Sequence, residues 1–565
     1  MEEQMSDDSR HPRDCEVLVV GAGPTGLMAA TLLKRRGVDV RIVDARATAS
    51  RESRAFAMQA RSLELFLSIG LADALLDKGV VNHAIDFFVS GRHVGGLDFD
   101  AADSPDTPYP FIFMLPQSET EAILIEELGR QGVRVERGVQ VTGLAQDEHG
   151  VETRGTTSGG DAVHIRSAYV IGADGAHSVV RKAVGLSFEG AKYAQSFLLA
   201  DCRVEWPLDH ARFRVFMNGS SIGLFLPLQG SSLSRVMATD HSGKADAGGP
   251  DATTLELGEL QAALSAAAGM ELTLSEPTWT TRYRIHRRGV DRYRVGRVFV
   301  AGDAAHIHSP AGGQGMNTGL QDAANLAWKL AAVIRGGAEA ELLDTYGTER
   351  HPVGQQVLTQ TDRLFSTAAG KTGWEATLRD WLARPAAAVI SKLGPAQHRA
   401  FRSLSELDIA YGPSRFVEDA EAQGNHGGPR AGERAPNAAL ARHSDVFDLI
   451  GGYQFSVLAL SRKALDRDET KRLSAQLGVL GQGANGLATH LVTRVPVGRD
   501  PHAAFVDSAD VFETYGLTQA DDQALYVVRP DGYVCWRSEG LDIAACQQFL
   551  TRFGYGGSGE RRLGA

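Results

Sequence analysis

The sequence predicts an α/β protein of several domains, and three patterns predict that class. An apolar run at 15–20 leads into a glycine loop, a helical segment at 27–36 and a second apolar run at 38–43, the order of a βαβ unit in a doubly wound parallel sheet. Alternating β-rich runs between 185 and 279 predict an antiparallel sheet inserted into that α/β domain. Beyond a Gly-, Pro-, Asn- and Arg-rich linker at 423–436, strand and helix patterns predict a small independent α/β module.

Composition excludes several classes of protein. The chain has 565 residues, 43% hydrophobic and 22% charged, which is ordinary for a globular protein of several domains. A net charge of -11 argues against a nucleic-acid partner, and no apolar stretch approaches the about 20 residues of a membrane span. The polar segment 1–13 carries no signal-peptide core, and the four cysteines form no CxxC pair, which suggests reduced thiols. We therefore expect a cytoplasmic protein with no metal site, no nucleic-acid partner and no membrane partner.

The glycine loop after the first apolar run has the pattern GxGxxG. Gly21 permits the tight turn, Gly23 lets a pyrophosphate approach the backbone, and Gly26 lets the helix pack on the strand. Asp44 follows 18 residues after the last glycine, where an acid accepts hydrogen bonds from a ribose. This spacing predicts a dinucleotide site. A second match at 481–486 follows a helical segment and precedes a strand, so we predict a surface loop there.

Two more turns place an aspartate at the end of a predicted strand. Asp174 follows the run 169–173, and Asp303 follows the run 297–301. Doubly wound sheets bind ligands at these strand ends. The glycine-rich stretch 309–317 allows a flat ring to lie against the backbone, and the helix that begins near Met316 directs its positive end to that ring. The pattern favours a flavin over a freely bound nicotinamide.

The sequence resembles the single-component FAD-dependent aromatic hydroxylases. Three motifs match in order: GAGPTG with Asp44-Ala45-Arg46, ADGAHSVVR at 173–181, and GDAAHIHSPAGGQGMN at 302–317, which continues as TGLQDAANLAWKL at 318–330. The resemblance covers about residues 14–400. The C-terminal stretch is similar to the thioredoxin-like domain of the longer members, such as phenol hydroxylase and 3-hydroxyphenylpropionate hydroxylase, but it has no CxxC and we expect no thiol redox chemistry from it.

The resemblance implies a domain plan and a set of cofactor contacts. Residues 14–184 and 280–410 form a Rossmann-type FAD-binding domain in two parts, and an antiparallel-sheet substrate domain at 185–279 is inserted between them. A linker at 411–436 leads to a thioredoxin-like domain at 437–565. The residues expected to bind FAD are Gly21, Gly23, Gly26, Asp44, Arg46, Arg54, Gln117, Asp174, Asp303, Pro310, Gly315, Met316 and Asn317. The motif of Asp174 is assigned in the family to both FAD and NAD(P)H.

The implied activity is monooxygenation. By this resemblance NAD(P)H would reduce FAD, dioxygen would form a flavin C4a-hydroperoxide, and one oxygen would be transferred to a phenolic or polyketide-like ring while the other leaves as water. Two alternative functions stay open: a Baeyer–Villiger oxygen insertion and a non-catalytic flavin-binding scaffold. The choice between NADPH and NADH and the formation of a homodimer stay open as well. The predicted substrate pocket is lined by Phe216, Leu224, Phe225, Leu226 and Tyr283. No charged residue occurs at 222–230, which favours a phenol or a large aromatic polyketide over a small carboxylate. The motifs assign no catalytic acid or base.

Some polar residues carry a structural interpretation instead. We expect His306 and His308 to pack their loop and not to bind a metal, because no cysteine or carboxylate cluster completes a site. The basic run from Arg282 to Arg297 is expected to form a solvated or salt-bridged surface, with attraction of an NADPH phosphate as the alternative. Asp344 and Glu349 are expected at the surface or as helix caps.

Overall fold

The computed structural model describes thirteen stretches of the chain. They are residues 13–49, 57–99, 106–228, 233–244, 255–307, 313–335, 337–369, 394–420, 427–441, 444–481, 486–494, 503–505 and 510–555. Side chains are described within them except at 192–195, 283–286, 359–369, 394–396 and 503–505. In these stretches no helix has both the length and the hydropathy to cross a membrane. Arg54 and Pro310, both expected to bind cofactor, lie outside the described residues.

The described residues contain 25 strands, which form three large sheets and one small one. In chain order the strands are β1 (Cys15–Val20), β2 (Val40–Asp44), β3 (Ala57–Met58), β4 (Val80–Asn82), β5 (Ala84–Val89), β6 (Arg92–Asp98), β7 (Ile112–Met114), β8 (Val135–Arg137), β9 (Val139–Gln146), β10 (Val151–Thr157), β11 (Ala162–Gly172), β12 (Glu189–Glu205), β13 (Phe213–Asn218), β14 (Ser221–Pro227), β15 (Leu233–Asp240), β16 (Thr273–Gly289), β17 (Arg294–Val295), β18 (Val298–Val300), β19 (His306–Ile307), β20 (Glu418–Asp419), β21 (Phe455–Ser461), β22 (Leu487–Thr493), β23 (Ala503–Phe505), β24 (Gln523–Val528) and β25 (Val534–Glu539).

The helices connect these sheets and cover their faces. In chain order they are α1 (Pro24–Arg35), α2 (Ala60–Ser68), α3 (Ala72–Leu76), α4 (Gln117–Arg130), α5 (Val179–Ala183), α6 (Leu257–Ala268), α7 (Gln314–Arg335), α8 (Asp344–Ala369), α9 (Gly394–Leu404), α10 (Val446–Ile450), α11 (Arg467–Gly481), α12 (Asp510–Thr514) and α13 (Ile543–Leu550). Three short 3-10 helices lie at Gly302–Ala304, Ala340–Leu343 and Thr551–Phe553.

Sheet 1 contains the predicted βαβ unit. Its strand order is β17-β18-β11-β1-β2-β8, and β10 and β9 continue from β11. β1 runs parallel to both neighbours, with Val19 opposite Ile42 and Ile171. Because this strand is buried on both faces, its sequence is apolar almost throughout. Helix α1 begins at Pro24, before the predicted start at 27, since proline is well suited to the first turn of a helix.

Sheet 2 is the predicted antiparallel sheet, and it is larger than the predicted insert. Its eight strands run β19-β16-β12-β15-β14-β13-β5-β6. β5 and β6 come from residues well before 185, and β5 pairs in parallel with β13. β16 continues past 279 to Gly289 and pairs there with β19, directly after the turn of Asp303. Sheet 2 is therefore attached to the Asp303 turn through its edge strand.

The C-terminal module contains a six-stranded sheet in the order β20-β25-β24-β21-β22-β23. Its edge strand β20 comes from the segment 411–436, so the expectation that this whole segment is a linker is wrong. β21 and β22 are parallel, β24 is antiparallel to both β21 and β25, and β25 is parallel to β20. Helix α11 ends at Gly481, and Gly486 precedes β22. A helix therefore precedes the second GxGxxG match and a strand follows it, as expected, while residues 482–485 of the predicted surface loop lie outside the described residues.

A buried ionic cluster joins the C-terminal module to the rest of the chain. Arg529, beside the β24–β25 turn, donates to Glu349 at 2.8 Å and to Asp531 at 2.7 Å. Lys329 on α7 donates to Glu349 at 2.8 Å. All four side chains are buried, so the expectation of a surface or capping role for Glu349 is wrong. The sequence pattern of the helix around Glu349 does not show that a second domain covers this residue.

Candidate active site

Three loops meet at the carboxyl ends of neighbouring strands in sheet 1. A Cβ atom added to Gly21 would lie 2.3 Å from the carbonyl oxygen of Ala173, so the first loop touches the second. A Cβ atom added to Gly302 would lie 2.6 Å from Oγ1 of Thr25, so the first loop also touches the third. The strands that lead into these loops, β1, β11 and β18, are adjacent in the sheet. The predicted convergence of the three motifs is therefore present.

The three glycines of the first loop have different surroundings. Gly21 adopts a φ of +105°, which favours glycine. A Cβ atom at Gly26 would lie 1.9 Å from the Gly21 oxygen, whereas one at Gly23 would meet no atom within 4 Å. Helix α1 starts directly after Gly23 with no side-chain cap. The structure thus leaves open space at the positive end of a helix dipole, where a phosphate group binds well.

Asp44 at the end of β2 holds this loop in place. Its Oδ2 accepts a hydrogen bond from the Ala22 main-chain N–H at 2.6 Å, and its Oδ1 accepts one from the Arg46 N–H at 2.8 Å. Arg137 lies 3.7 Å from the same carboxylate. Asp44 remains partly accessible, and the side chain of Arg46 is exposed beside it. The acid is in the place expected for a ribose contact, and it also fixes the loop.

Gln117 lies at the start of α4 and brings in a residue that the motif analysis missed. Its Nε2 donates to Oε1 of Glu121 at 2.8 Å. Burial raises the pKa of the Glu121 carboxyl, although the Gln117 hydrogen bond and the nearby Arg46 and Arg137 oppose the shift. The four-residue spacing of Gln117 and Glu121 along one helix face is the sequence signal that could have found this acid.

Asp174 binds the first turn of helix α5, whose N-cap is Ser178. Its carboxylate accepts hydrogen bonds from Oγ of Ser178 at 2.5 Å and from the N–H groups of Val179 and Val180 at 2.7 and 3.1 Å. The side chain is partly buried. Asp174 therefore shapes its own turn, which touches the first loop through Ala173.

The third loop is fixed by Asp322 on α7, another residue that the motif analysis did not single out. Asp322 Oδ2 accepts from the Gly302 N–H at 3.1 Å and contacts His306 Nε2 at 2.7 Å, and its Oδ1 accepts from Arg350 Nε at 2.8 Å. Burial alone would raise the pKa of this carboxyl, but Arg350 and His306 outweigh it and hold the pKa below its usual value. Asp303 in the same turn is exposed.

These contacts settle the role of one predicted histidine. His306 is buried and packs its loop, as expected, while His308 lies outside the described residues. The described part of the chain holds no group of three or more metal-ligating side chains. Two members of the basic run are in ion pairs as predicted, Arg292 with Asp291 and Arg294 with Asp344. Arg282 also forms an ion pair, with Asp240, but it is buried, so the expected surface position is wrong for this residue.

The N-terminus of α7 adjoins these loops. A Cβ atom added to Gly319 would lie 2.3 Å from Oγ1 of Thr25 in the first loop. Asn317 is fully buried, and both N–H donors of its side chain are used, on the carbonyls of Ala57 and Gly313 at 2.9 and 2.7 Å. The side chain thus fixes the start of the helix, where the first backbone N–H groups have no acceptor within the helix itself.

The predicted substrate residues lie on two different faces of sheet 2. Phe216 and Phe225 belong to a core under helix α6, which we call the helix face. Leu224 and Leu226 alternate with Phe225 along β14 and pack with the large core that contains the strands of sheet 1, which we call the domain face. The expectation that all of them line one pocket is therefore wrong for the two phenylalanines. The backbone of Tyr283 pairs with Phe197, but its side chain is not described.

The described residues fit FAD. They provide a backbone cradle at Gly23 that an added methyl group would enter, an uncapped helix start for a pyrophosphate, an acid at the end of β2, and an exposed aspartate beside the start of α7. Each feature matches one part of a dinucleotide.

Comparison with known proteins gives the same result. Residues 14–361 match the family described as FAD binding domain. A 6-methylpretetramide 4-monooxygenase from Streptomyces rimosus is 34% identical over 539 residues, which cover 93% of this chain and 91% of that protein. A pentachlorophenol 4-monooxygenase from Sphingobium chlorophenolicum is 34% identical over 470 residues, which cover 81% of this chain and 82% of that protein.

A solved structure extends the likeness to the whole fold. An anhydrotetracycline hydroxylase from Streptomyces rimosus is 28% identical and has a TM-score of 0.72, with 96% of this chain and 99% of that chain covered. The sequence matches, the FAD-binding domain and the fit of the three loops to a dinucleotide agree. The chain belongs to the single-component FAD-dependent aromatic hydroxylases and is a flavoprotein monooxygenase.

Proposed function

We propose that this monooxygenase hydroxylates an aromatic ring of a phenolic or polyketide-like substrate, with NAD(P)H and dioxygen as cosubstrates. The observation that carries the proposal is the meeting of three motif loops in sheet 1, next to a second sheet whose domain face is apolar at Leu224 and Leu226. The names of the two curated relatives, acting on 6-methylpretetramide and pentachlorophenol, support an aromatic substrate.

The proposed cofactor contacts follow the three loops. We assign the pyrophosphate to Gly21, Gly23 and Gly26, the adenosine end to Asp44 and Arg46, and the ribityl chain to Asp303. The other proposed contacts are Arg54, Gln117, Asp174, Pro310, Gly315, Met316 and Asn317. When bound, FAD supplies the redox chemistry and the activation of dioxygen.

The protein's own contribution is position and exclusion of water. The open cradle at Gly23 and the α1 dipole bind the phosphates, while the α7 dipole stabilises negative charge at the ring end of the site. The apolar side chains of the domain face keep water away from the reacting ring, which protects the oxygen transfer from side reactions. Leu224, Leu226 and Tyr283 are the lining residues that we retain for the substrate.

We assign the remaining regions as accessory parts. We propose a thioredoxin-like fold for residues 437–565, supported by the mixed sheet in which parallel β21 and β22 adjoin the antiparallel pair β24 and β25. The buried, unpaired Cys535 and Cys546 support a role other than thiol redox chemistry. A cytoplasmic location is consistent with the fact that all four cysteines are unpaired.

The test uses the purified, FAD-loaded enzyme. Phenols and polycyclic aromatic compounds are screened for faster NADPH and NADH oxidation, and products are analysed by mass spectrometry after reaction with labelled dioxygen. We expect a gain of one labelled oxygen as a new hydroxyl group on an intact ring. A ring-expanded ester or lactone would instead assign a Baeyer–Villiger reaction, and a holoenzyme that no aromatic compound stimulates would favour the scaffold alternative.

A further inference from the structure

The domain face of sheet 2 carries one polar cluster among apolar side chains. Cross-strand pairing places Asp201 of β12 opposite both Arg235 of β15 and Trp279 of β16. Arg235 is in turn opposite Leu226 of β14, which packs into the large core that contains the strands of sheet 1. Because directly paired residues share a face, the three polar side chains lie on the same face as the retained substrate residues.

The contacts within this cluster are short and mutually consistent. Asp201 accepts two hydrogen bonds from Arg235, from Nε and Nη2, both at 2.7 Å. The indole Nε1 of Trp279 donates to the same carboxylate at 2.8 Å. A carboxylate that receives three donors fixes the plane of the indole ring as well as the guanidinium.

Trp279 is the member of the cluster that remains partly exposed, whereas Arg235 is fully buried. It packs with a small apolar cluster on the domain face that is separate from the helix-face core, made of Phe197, Leu199, Ile222, Met237 and Leu224. The Arg235 guanidinium lies 5.5 Å from the centroid of the Trp279 ring. One face of the indole is thus taken by a cation, and a planar ligand that stacks on this ring uses the opposite face.

Stability alone does not account for the cluster. A buried ion pair contributes little to stability compared with apolar side chains of the same volume, because both charges lose their hydration. What the pair does supply here is a rigid, polarised indole on a face that is otherwise apolar. A cation on one face draws electron density from the ring, which favours an electron-rich ring on the other face.

We propose that Trp279 is a substrate-stacking residue that selects planar, electron-rich polycyclic aromatic compounds, with Asp201 and Arg235 as positioning residues that hold and polarise its ring. The proposal rests on the proposed function and deepens it by naming the residue that selects the substrate's ring system. Trp279 binds the part of a polycyclic substrate that extends along the sheet. A monocyclic phenol is too small to need this contact and depends on it little.

The test measures ligand binding to the oxidised holoenzyme without NADPH, so that it is independent of turnover. The probes are alizarin, a hydroxylated planar tricycle, anthraquinone, which has the same ring system without the hydroxyl groups, and phenol. Binding is followed by the change in flavin absorbance. The variants are Trp279→Leu and Trp279→Phe. The matched control is Trp206→Phe, a tryptophan of the same domain whose ring lies 4.4 Å from that of Phe225 on the helix face.

We expect Trp279→Leu to weaken alizarin binding by about 2- to 13-fold, the range for loss of one aromatic pair, and to leave phenol binding within about 2-fold. Trp279→Phe recovers most of the loss, and Trp206→Phe leaves alizarin binding unchanged. Wild-type enzyme that does not bind alizarin, or a Trp279→Leu variant that binds it as the wild type does, overturns the proposal.

The positioning role has a separate measurement, the ratio of the alizarin and anthraquinone dissociation constants. Arg235→Lys keeps a cation near Asp201 but loses the planar guanidinium over the indole. We expect this variant to reduce the preference for alizarin, whereas a merely structural defect weakens both ligands equally and leaves the ratio unchanged, which overturns the role of Arg235. Wild-type enzyme that binds alizarin but hydroxylates no aromatic compound disproves the proposed function and not the stacking contact.

Discussion

Arg181 Nη1 donates to the main-chain carbonyl of Ala304 at 3.0 Å, so one side chain joins the second motif loop to the third. Nη2 of the same guanidinium donates to the carbonyl of Ala176 at 2.9 Å, and its Cζ atom lies 3.8 Å from the centroid of the Phe188 ring. The turns that carry Asp174 and Asp303 are thereby linked by a residue that is itself buried.

The first prediction concerns this bridge. Arg181→Met leaves the carbonyls of Ala304 and Ala176 without their donor, which we expect to cost about 1–3 kcal/mol of unfolding free energy. Because the two loops lose their common support, FAD affinity should fall about 10-fold or more. Urea unfolding of the apoprotein and FAD titration measure the two effects. Arg181→Lys can restore one of the two hydrogen bonds, so its stability and its FAD affinity should lie between those of Arg181→Met and the wild type. An Arg181→Met variant with wild-type FAD affinity would contradict the bridging role.

The second prediction separates two glycines of the same loop. Gly23→Val adds a side chain where no atom lies within 4 Å, so the apoprotein should stay within about 1 kcal/mol of wild type while FAD is lost from the purified protein. Gly26→Ala places a methyl group 1.9 Å from the Gly21 oxygen and should destabilise the apoprotein by about 1–3 kcal/mol. Flavin content and thermal unfolding of the two apoproteins distinguish them. Full flavin content in Gly23→Val would refute the assignment of the pyrophosphate site.

The local sequence pattern predicted the parts of the site that depend on backbone geometry. GxGxxG after a buried strand, with an acid at the end of the next strand, is a local signal, and Gly21, Gly23, Gly26 and Asp44 lie where that signal places them. The same test rejected the match at Gly481, because a helix precedes it.

What the pattern could not predict depends on contacts distant in sequence. Glu349 lies under a domain that begins many residues later, and Asp322 meets its partners His306 and Arg350 only in the fold. Phe216 and Phe225 lie on strands of the predicted substrate sheet, but the sequence of a strand does not show which of its faces a helix covers. Alternation along β14 would have separated Phe225 from Leu224 and Leu226.

The third prediction concerns the ionic cluster between the domains. Burial would raise the pKa of Glu349, but Arg529 and Lys329 overcome it and lower the pKa to about 2. The folded state therefore favours the ionised carboxylate, a contribution to stability that is present above the unfolded pKa near 4.5 and is lost as pH falls toward 2.

Glu349→Gln should cost about 3–5 kcal/mol at pH 7, because it leaves Arg529 and Lys329 without their shared anion. The difference in unfolding free energy between the wild type and Glu349→Gln should become smaller as the pH is lowered below about 4.5. Urea unfolding between pH 7 and pH 3 measures it. The control is Asp344→Asn, which removes the exposed partner of Arg294 and should change stability by less than about 1 kcal/mol. A Glu349→Gln deficit that is the same at all pH values would show that the charge of Glu349 is not the cause.

The fourth prediction concerns Glu406, a buried acid at the side of α7. Gln321 donates to its carboxylate, and Thr318 lies 3.4 Å from it, so the residue contacts the helix one turn after the expected flavin contacts. Burial raises its pKa to about 8, although Arg350 and these two hydrogen bonds oppose the shift. At neutral pH the folded protein therefore holds a proton on Glu406 that the unfolded chain has released.

Because the folded pKa lies above the unfolded value of about 4.5, the wild type loses stability as pH rises from about 4.5 to about 8, at up to about 1.4 kcal/mol per pH unit from this group. Glu406→Gln keeps the shape and the backbone conformation but cannot ionise. The unfolding free energy of this variant should therefore fall less than that of the wild type over this pH range, and at pH 9 the variant should be the more stable protein. Glu126→Gln, at an exposed position on α4, should follow the wild type throughout. Urea unfolding at pH 5, 7 and 9 gives the three curves, and flavin content at pH 9 reports whether α7 stays in place. Parallel curves for Glu406→Gln and the wild type would mean that Glu406 is ionised in the folded protein at neutral pH, which would contradict the prediction.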